Sequence, residues 1–393
     1  MTREEHSLMT PDWFANARDS TWTVAETADD AYDFHRSLDA YAPTALVELP
    51  DLADELGVGH VFVKDESTRL GLPAFKALGA SWAVHRALRA HTSRQVLPPT
   101  VGSPAPAKAA VVTATDGNHG RAVARFARLA GRAATIYIPV GGIHPSAVVA
   151  IKEEGARIVE VAGDYDEAVA ESARATEQSG DVLVQDTAWD GYEEVPQWIV
   201  DGYLTLFKEI DAQLRERDHS QPDLVFVPTG VGSLLQGALA HYRSETTCPG
   251  TAVVSVEPET ASCMIPSLTA GRAVTVEAST TIMSGLNCPT PSSLAWPLVK
   301  NGLDAGVAVS DRDAIDAARR LLVLGIAAGP CGAAALAGAR RALTGADADE
   351  RRAHLGINTG STVVLTITEG AGANPLPPEA DHTTPVRPAD RYS

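Results

Sequence analysis

Short runs of β-branched and apolar residues alternate with alanine-rich amphipathic stretches along most of the chain, and this alternation narrows the possible folds more than any other feature. The runs fall at 60–66 (HVFVKDE), 109–115 (AAVVTAT), 133–139 (AATIYIP), 156–161 (ARIVEV), 181–186 (DVLVQD), 223–228 (DLVFVP), 252–258 (AVVSVEP) and 362–368 (TVVLTIT). Helical spacing of apolar residues is expected over about 75–91, 118–130, 145–154, 164–179, 195–218, 233–243, 311–325 and 331–343. Strand followed by helix, repeated this often, predicts parallel sheets covered on both faces. Such sheets seat ligands at the carboxyl ends of their strands, in the turns that lead into helices.

At 393 residues the chain is long enough for two lobes. Its formal net charge of −18 is dispersed, and it argues against nucleic acid or an acidic membrane surface, since either partner needs a basic face. No stretch of about 18 uncharged apolar residues is present, so no membrane span is expected. The opening MTREEHSLMTPDWF has no apolar leader, which predicts a cytoplasmic chain. Cys248, Cys263, Cys288 and Cys331 show neither metal-ligand nor disulfide spacing; no metal is expected, and Cys263 and Cys288 read as free thiols. Residues 91–108 read as an exposed Pro-rich loop and 374–393 as a disordered tail.

Four strand-to-helix turns carry residues able to do chemistry. In KDESTRLGLPAFKALGASWAV (64–84), Lys76 falls on the first turn of a helix, where a cation opposes the dipole. Desolvated there, its amine loses proton affinity and suits carbonyl chemistry, although a surface lysine fits the same segment. In TATDGNHGRAVARFA (113–127), Thr115, Asp116, Gly117, Asn118 and His119 lead into an alanine-rich helix whose first N–H groups suit a carboxylate. Asp116 suits a general base there, and Asp116 or Asn118 equally suits a plain helix cap. In VPTGVGSLLQGALAHY (227–242), Gly230, Val231 and Gly232 precede Ser233 at a helix start, a phosphate cradle or a structural turn. Its spacing matches neither a dinucleotide fingerprint nor a P-loop, which disfavours a nicotinamide-dependent dehydrogenase. In VLTITEGAGANP (364–375) a strand ends in Thr368-Glu369-Gly370. A hydroxyl there suits a neutral ring nitrogen, and a carboxylate would favour a protonated one.

In this order the four segments resemble the fold-type-II pyridoxal-phosphate enzymes, the tryptophan synthase β and threonine dehydratase group. The closer resemblance is to the diaminopropionate ammonia-lyase family. It is carried by RLGLPAFKALGAS (69–81), ATDGNHGRAVA (114–124), VQDTAWDGYEEVPQWIVDGY (184–203), GVGSLLQG (230–237), VEPETASC (256–263) and TIMSGLNCPTPSSLAWPLV (281–299). The chain departs from the pattern at Leu234-Leu235-Gln236, where smaller residues are expected, and at Ala80 and Trp82.

The resemblance implies an α/β fold of two parallel-sheet lobes, the smaller (77–190) inserted in the larger (1–76 and 191–373), with pyridoxal 5'-phosphate between them. It implies Lys76 as the Schiff-base lysine, Asn118 at the cofactor's 3-hydroxyl oxygen, and Gly230, Val231, Gly232 and Ser233 on its phosphate. Thr368 would face the pyridine nitrogen. Asp116 and Asp186 would act beside the substrate amines, with Asp190 a lesser candidate for the second acid. Thr115, Gly117 and His119 would join these two in binding a small amino acid. The implied activity is a carbon–nitrogen lyase that eliminates ammonia from 2,3-diaminopropionate, D, L or both, to give pyruvate and ammonia. A homodimer is implied by the resemblance alone. A serine, threonine or 3-hydroxyaspartate dehydratase would share all but the leaving group. A binding module that kept only the fold would be expected to lack Lys76 or Asp116.

Overall fold

The computed structural model describes residues 12–94, 109–115, 117–245 and 250–376. Its strands are β1 (Trp13–Ala15), β2 (Leu46–Glu48), β3 (His60–Asp65), β4 (Val111–Ala114), β5 (Ala134–Pro139), β6 (Arg157–Val161), β7 (Val182–Leu183), β8 (Leu224–Pro228), β9 (Ala252–Pro258), β10 (Ala305–Val309) and β11 (Thr362–Ile367). They form a seven-stranded sheet in the order β1-β10-β9-β8-β11-β3-β2 and a four-stranded sheet in the order β6-β5-β4-β7. Every pairing is parallel except at the two edges of the large sheet, where β1 and β2 run antiparallel to their neighbours.

The central strands read as continuous apolar runs because both of their faces are covered. Along β3, β8 and β11, successive side chains enter different clusters: Val61, Leu224, Phe226 and Val363 pack on one side, and Phe62, Val225, Val227 and Val364 on the other. Three strands escape the sequence pattern. β1 and β2 are three residues each, too short to show a period. β10 reads AGVAV, small residues that become a strand because β9 and β1 bury them from both sides. The run expected over 181–186 pairs only at Val182 and Leu183, after which the chain leaves the sheet.

The helix expected from 75 to 91 spans Lys76–Arg94 and overruns the start of the expected loop; the rest of that loop, 95–108, lies outside the described residues. So do 377–393 of the expected tail. Asn374, where that tail was expected to begin, is tied down, its Nδ2 donating to the Ile282 carbonyl at 2.9 Å. The helices Lys76–Arg94 and Glu194–Arg215 touch backbone to backbone. A Cβ on Gly79 would lie 2.6 Å from the Tyr203 ring, and one on Gly202 2.6 Å from the Leu78 carbonyl oxygen.

From β3 the chain reaches Lys76 through Leu70, a buried non-glycine residue at φ 51°, a conformation that costs about 1–2 kcal/mol. A sealed ion network braces that turn. Arg69 donates to Glu66 and to Glu209 at 2.7 Å each, and Lys64 donates to Glu209 at 2.6 Å. All four side chains are 0–1% exposed.

Candidate active site

β8, β11 and β3 are parallel neighbours, so the turns after Pro228, Ile367 and Asp65 leave from one edge of the large sheet. Those turns carry residues 230–233, Thr368 with Glu369, and the path to Lys76. β4 and β7 are parallel neighbours in the small sheet, and their carboxyl ends lead to residues 115–118 and to Gln185 and Asp186. Two contacts join these edges: Lys76 Nζ lies 2.7 Å from Asp186 Oδ2, and Asn118 Nδ2 donates to Glu369 Oε2 at 2.7 Å. The Lys76 segment is also strapped to the end of β11, since Phe75 N–H donates to the Thr368 carbonyl and Gly370 N–H to the Pro73 carbonyl, both at 3.0 Å.

Lys76 and Asp186 are 21% and 11% exposed, open enough for a ligand to reach and dry enough for their attraction to count. Burial opposes the charge on Asp186, yet its carboxyl is held well below the usual carboxylate range by the neighbouring His119 and Lys76. Burial depresses His119, and its Nε2 must carry the hydrogen, because it meets the Val184 carbonyl at 2.9 Å. The unprotonated Nδ1 then faces Asp186 Oδ2 at 3.9 Å. Asp190, the other acid weighed in this segment, is exposed.

Thr115 holds the second turn together: its Oγ1 accepts from Gly117 N–H at 3.0 Å and from Gly120 N–H at 2.9 Å. Gly117 sits at φ 153°, and a Cβ on Gly120 would lie 2.3 Å from Thr115 Cγ2, so neither accommodates a side chain without strain. Asp116 lies outside the described residues. The helix Ser233–Tyr242 starts after Gly232 at φ 100° with no side chain capping it, and a start of this kind can seat an anion. That seat is built for small residues. A Cβ on Gly230 would lie 3.0 Å from Cys288 Sγ and one on Gly232 2.8 Å from Met264 Cε. The unexpected Leu234 and Leu235 are buried in the core, and Trp82 packs against both Phe34 and His85. Cys263 is a buried free thiol.

The geometry adds residues that sequence reasoning passed over. Tyr165 Oη is 3.4 Å from Asp186 Oδ1 and accepts from Gln185 Nε2 at 2.8 Å. Gln185 Oε1 in turn accepts from Ala114 N–H at 2.9 Å, which ties the acid's position to the end of β4. Tyr203, wholly buried beside Phe75, has its hydroxyl pushed up to about 12, chiefly by burial. Glu369 is 3% exposed, and burial raises its carboxyl above the ordinary range against the pull of donors from Cys331 and Asn118. Of these, only Glu369 left a trace in the sequence, as an acid set at the end of a fully apolar strand.

The protein family described as pyridoxal-phosphate dependent enzyme matches residues 38–369. The diaminopropionate ammonia-lyase of Escherichia coli strain K12 is 37% identical over 296 residues, 73% of this chain and 73% of that one. The L-threonine ammonia-lyase of Thermotoga maritima is 28% identical over 315 residues, covering 79% of this chain and 71% of that one. A crystal structure of the E. coli diaminopropionate ammonia lyase with an aminoacrylate–PLP azomethine reaction intermediate superposes with a TM-score of 0.80 at 31% identity, covering 92% of this chain and 94% of that one. The family match over most of the chain and the kinship with the E. coli enzyme agree with the two facing sheet edges: the chain belongs to the pyridoxal-phosphate dependent enzyme family and, within it, to the diaminopropionate ammonia-lyases.

Proposed function

We propose that the protein eliminates ammonia from 2,3-diaminopropionate, leaving pyruvate and a second ammonia, with pyridoxal phosphate as cofactor. The observation that carries this reading is the Lys76–Asp186 pair, an amine and a charged acid meeting between the two sheets at 2.7 Å. The residues fit the cofactor. The uncapped helix start after Gly232 offers N–H groups to its phosphate, in a cradle with no room for larger side chains at 230 and 232. Lys76 is the amine for its aldehyde, Asn118 suits its 3-hydroxyl oxygen, and Thr368, buried at the end of β11, suits its ring nitrogen. When bound, pyridoxal phosphate supplies the electron sink for breaking the substrate's Cα–H and Cβ–N bonds.

The chain's own residues do the rest. Lys76 takes the α-proton on one face, and Asp116 is read as the base on the other, which fits a substrate of either hand. The N–H groups of the 115–119 turn take the substrate carboxylate. Asp186 stays ionised and is a weak proton donor. Its part is to hold the β-ammonium, taking the substrate's cation in place of Lys76 while that amine is engaged. Serine brings no cation, so it leaves that carboxylate with a weaker partner, a loss of about 1.5–3 kcal/mol.

Two further features belong to the same proposal. The division into a small lobe (77–190) and a large one (1–76 and 191–373) is supported by the small sheet, whose four strands all lie between Val111 and Leu183. The homodimer rests on the family resemblance alone and is tested by sedimentation; the cytoplasmic location is a separate expectation, tested by fractionation.

The deciding experiment is pyruvate release by cofactor-loaded protein on D- and L-2,3-diaminopropionate, serine and threonine side by side. Diaminopropionate is expected to lead serine and threonine by at least about tenfold in kcat/KM. Equal rates on serine would transfer the reading to a dehydratase, and protein that takes up no pyridoxal phosphate would overturn it entirely. Asp116→Asn is expected to abolish turnover of one enantiomer and spare part of the other, whereas equal loss on both contradicts the two-face arrangement.

A further inference from the structure

One buried carboxylate at the site has no part in the reaction as proposed. Glu369 directs Oε2 at Asn118 Nδ2, 2.7 Å away, and Oε1 at the N–H of Cys331, 3.3 Å away on the first turn of the helix Pro330–Leu343. The helix reaches it only because glycines flank that contact. A Cβ on Gly329 would lie 3.0 Å from Glu369 Oε1, and one on Gly332 2.7 Å from the Glu369 carbonyl oxygen. Among the described residues no lysine or arginine forms an ion pair with it; the Asn118 and Asn374 amides and the N–H and thiol of Cys331 are what hold it.

Chemistry then fixes the orientation of Asn118. Asn118 turns its nitrogen, not its oxygen, toward Glu369 Oε2, the orientation that an ionised carboxylate requires because it only accepts hydrogen bonds. That nitrogen has a second N–H, and a donor set against a phenolic oxygen favours the ionised oxygen over the hydroxyl.

We propose that Glu369 is a positioning residue that locks the Asn118 amide nitrogen-first and thereby presents an N–H to the cofactor's 3-hydroxyl oxygen. This rests on the reading that Asn118 meets that oxygen. Replacing the acid by glutamine removes the constraint, because a second amide donates to or accepts from Asn118 equally well. The flipped Asn118 would then offer its oxygen, which favours the protonated, near-ultraviolet form of the bound cofactor.

The test titrates pyridoxal phosphate into apoprotein by absorbance, for wild type, Glu369→Gln, Asn118→Ala and the double variant, with thermal midpoints as a check on folding. Glu369→Gln is expected to raise the cofactor Kd about tenfold and to lower the ratio of visible to near-ultraviolet absorbance. In the Asn118→Ala background the same change is expected to add less than about twofold, because its route has gone. An equal effect in both backgrounds, or none in wild type, overturns the proposal. Should Glu369→Gln fail to fold, Glu369→Asp, which keeps the acid but withdraws it by one methylene, is held to the same pattern in both backgrounds. Wild type that binds no cofactor defeats the proposed function itself. Wild type that binds it normally while the variants break the pattern defeats only the role of Glu369.

Discussion

Lys64 and Lys76 lie on the same stretch of chain, and each ends on an acid contributed by a distant segment. Lys64 is fully buried, and its three N–H groups meet three acceptors: the Thr44 carbonyl at 2.9 Å, Glu209 at 2.6 Å and Gln213 Oε1 at 2.9 Å. Burial lowers its proton affinity, while Glu209 and Glu66 oppose that and keep it charged. Lys76 is 21% exposed, and its acid belongs to the other sheet. The first lysine is enclosed in the network that braces the strained turn at Leu70, and nothing else can enter. The second stands where a ligand can part it from its acid. Burial and an ion pair therefore do not mark a functional lysine; access, and an acid from across a cleft, do.

Mutations break this comparison if the two lysines behave alike. Lys76→Ala is expected to lower kcat by about 10⁴-fold and to remove the visible band of the bound cofactor, with a smaller loss of stability than the loss of Glu209 brings. Glu209→Ala leaves Lys64 and Arg69 short of a counter-ion, so it is expected to cost about 3–5 kcal/mol in denaturant unfolding while the folded fraction keeps its kcat. A reversal of these two outcomes would exchange the roles assigned to the networks. Asp186→Asn is expected to cut kcat/KM on diaminopropionate about 10- to 100-fold and to affect serine less, which narrows the discrimination between them.

The smallest effect concerns a third ion cluster, between the helices Asn118–Leu129 and Pro145–Glu153 of the small lobe. Glu154 accepts from Arg125 Nε at 2.5 Å and from Arg128 Nη2 at 2.8 Å, and Arg125 leads the interactions that pull its carboxyl down to about 2. A carboxyl depressed in the folded state contributes stability above its unfolded value of 4.5, and loses it as the pH falls toward about 2. Glu154→Gln is expected to cost about 1 kcal/mol at pH 7, because its arginine partners are partly exposed. That gap should close progressively in urea titrations below pH 4.5.

Most of the sheet framework was legible because buried parallel strands need long β-branched runs, and the runs at 60–66, 133–139 and 362–368 could be little else. β10 was hidden by its alanines and glycine, which become a strand only through their neighbours. At the site, Lys76, Asn118, Asp186 and the 230–233 turn were legible from their motifs and from their places after strands. Tyr165 was not, because it opens a helix with an ordinary capping box at Asp164 and reaches Asp186 only through the tertiary fold. The same holds for Gln185, whose side chain serves β4 rather than its own strand.

β11 lies between β8 and β3 in the large sheet, although it is the last strand among the described residues and β3 among the first. During synthesis the four strands of the small sheet can pair long before the large sheet closes. Until residues 362–367 emerge, β3 and β8 are left as separate apolar edges, open to wrong partners. Joining them is a long-range parallel pairing, the kind that folds slowly. Thr368 and Glu369 follow directly on that strand, so the amine is synthesised early and the last part of its surroundings only at the end.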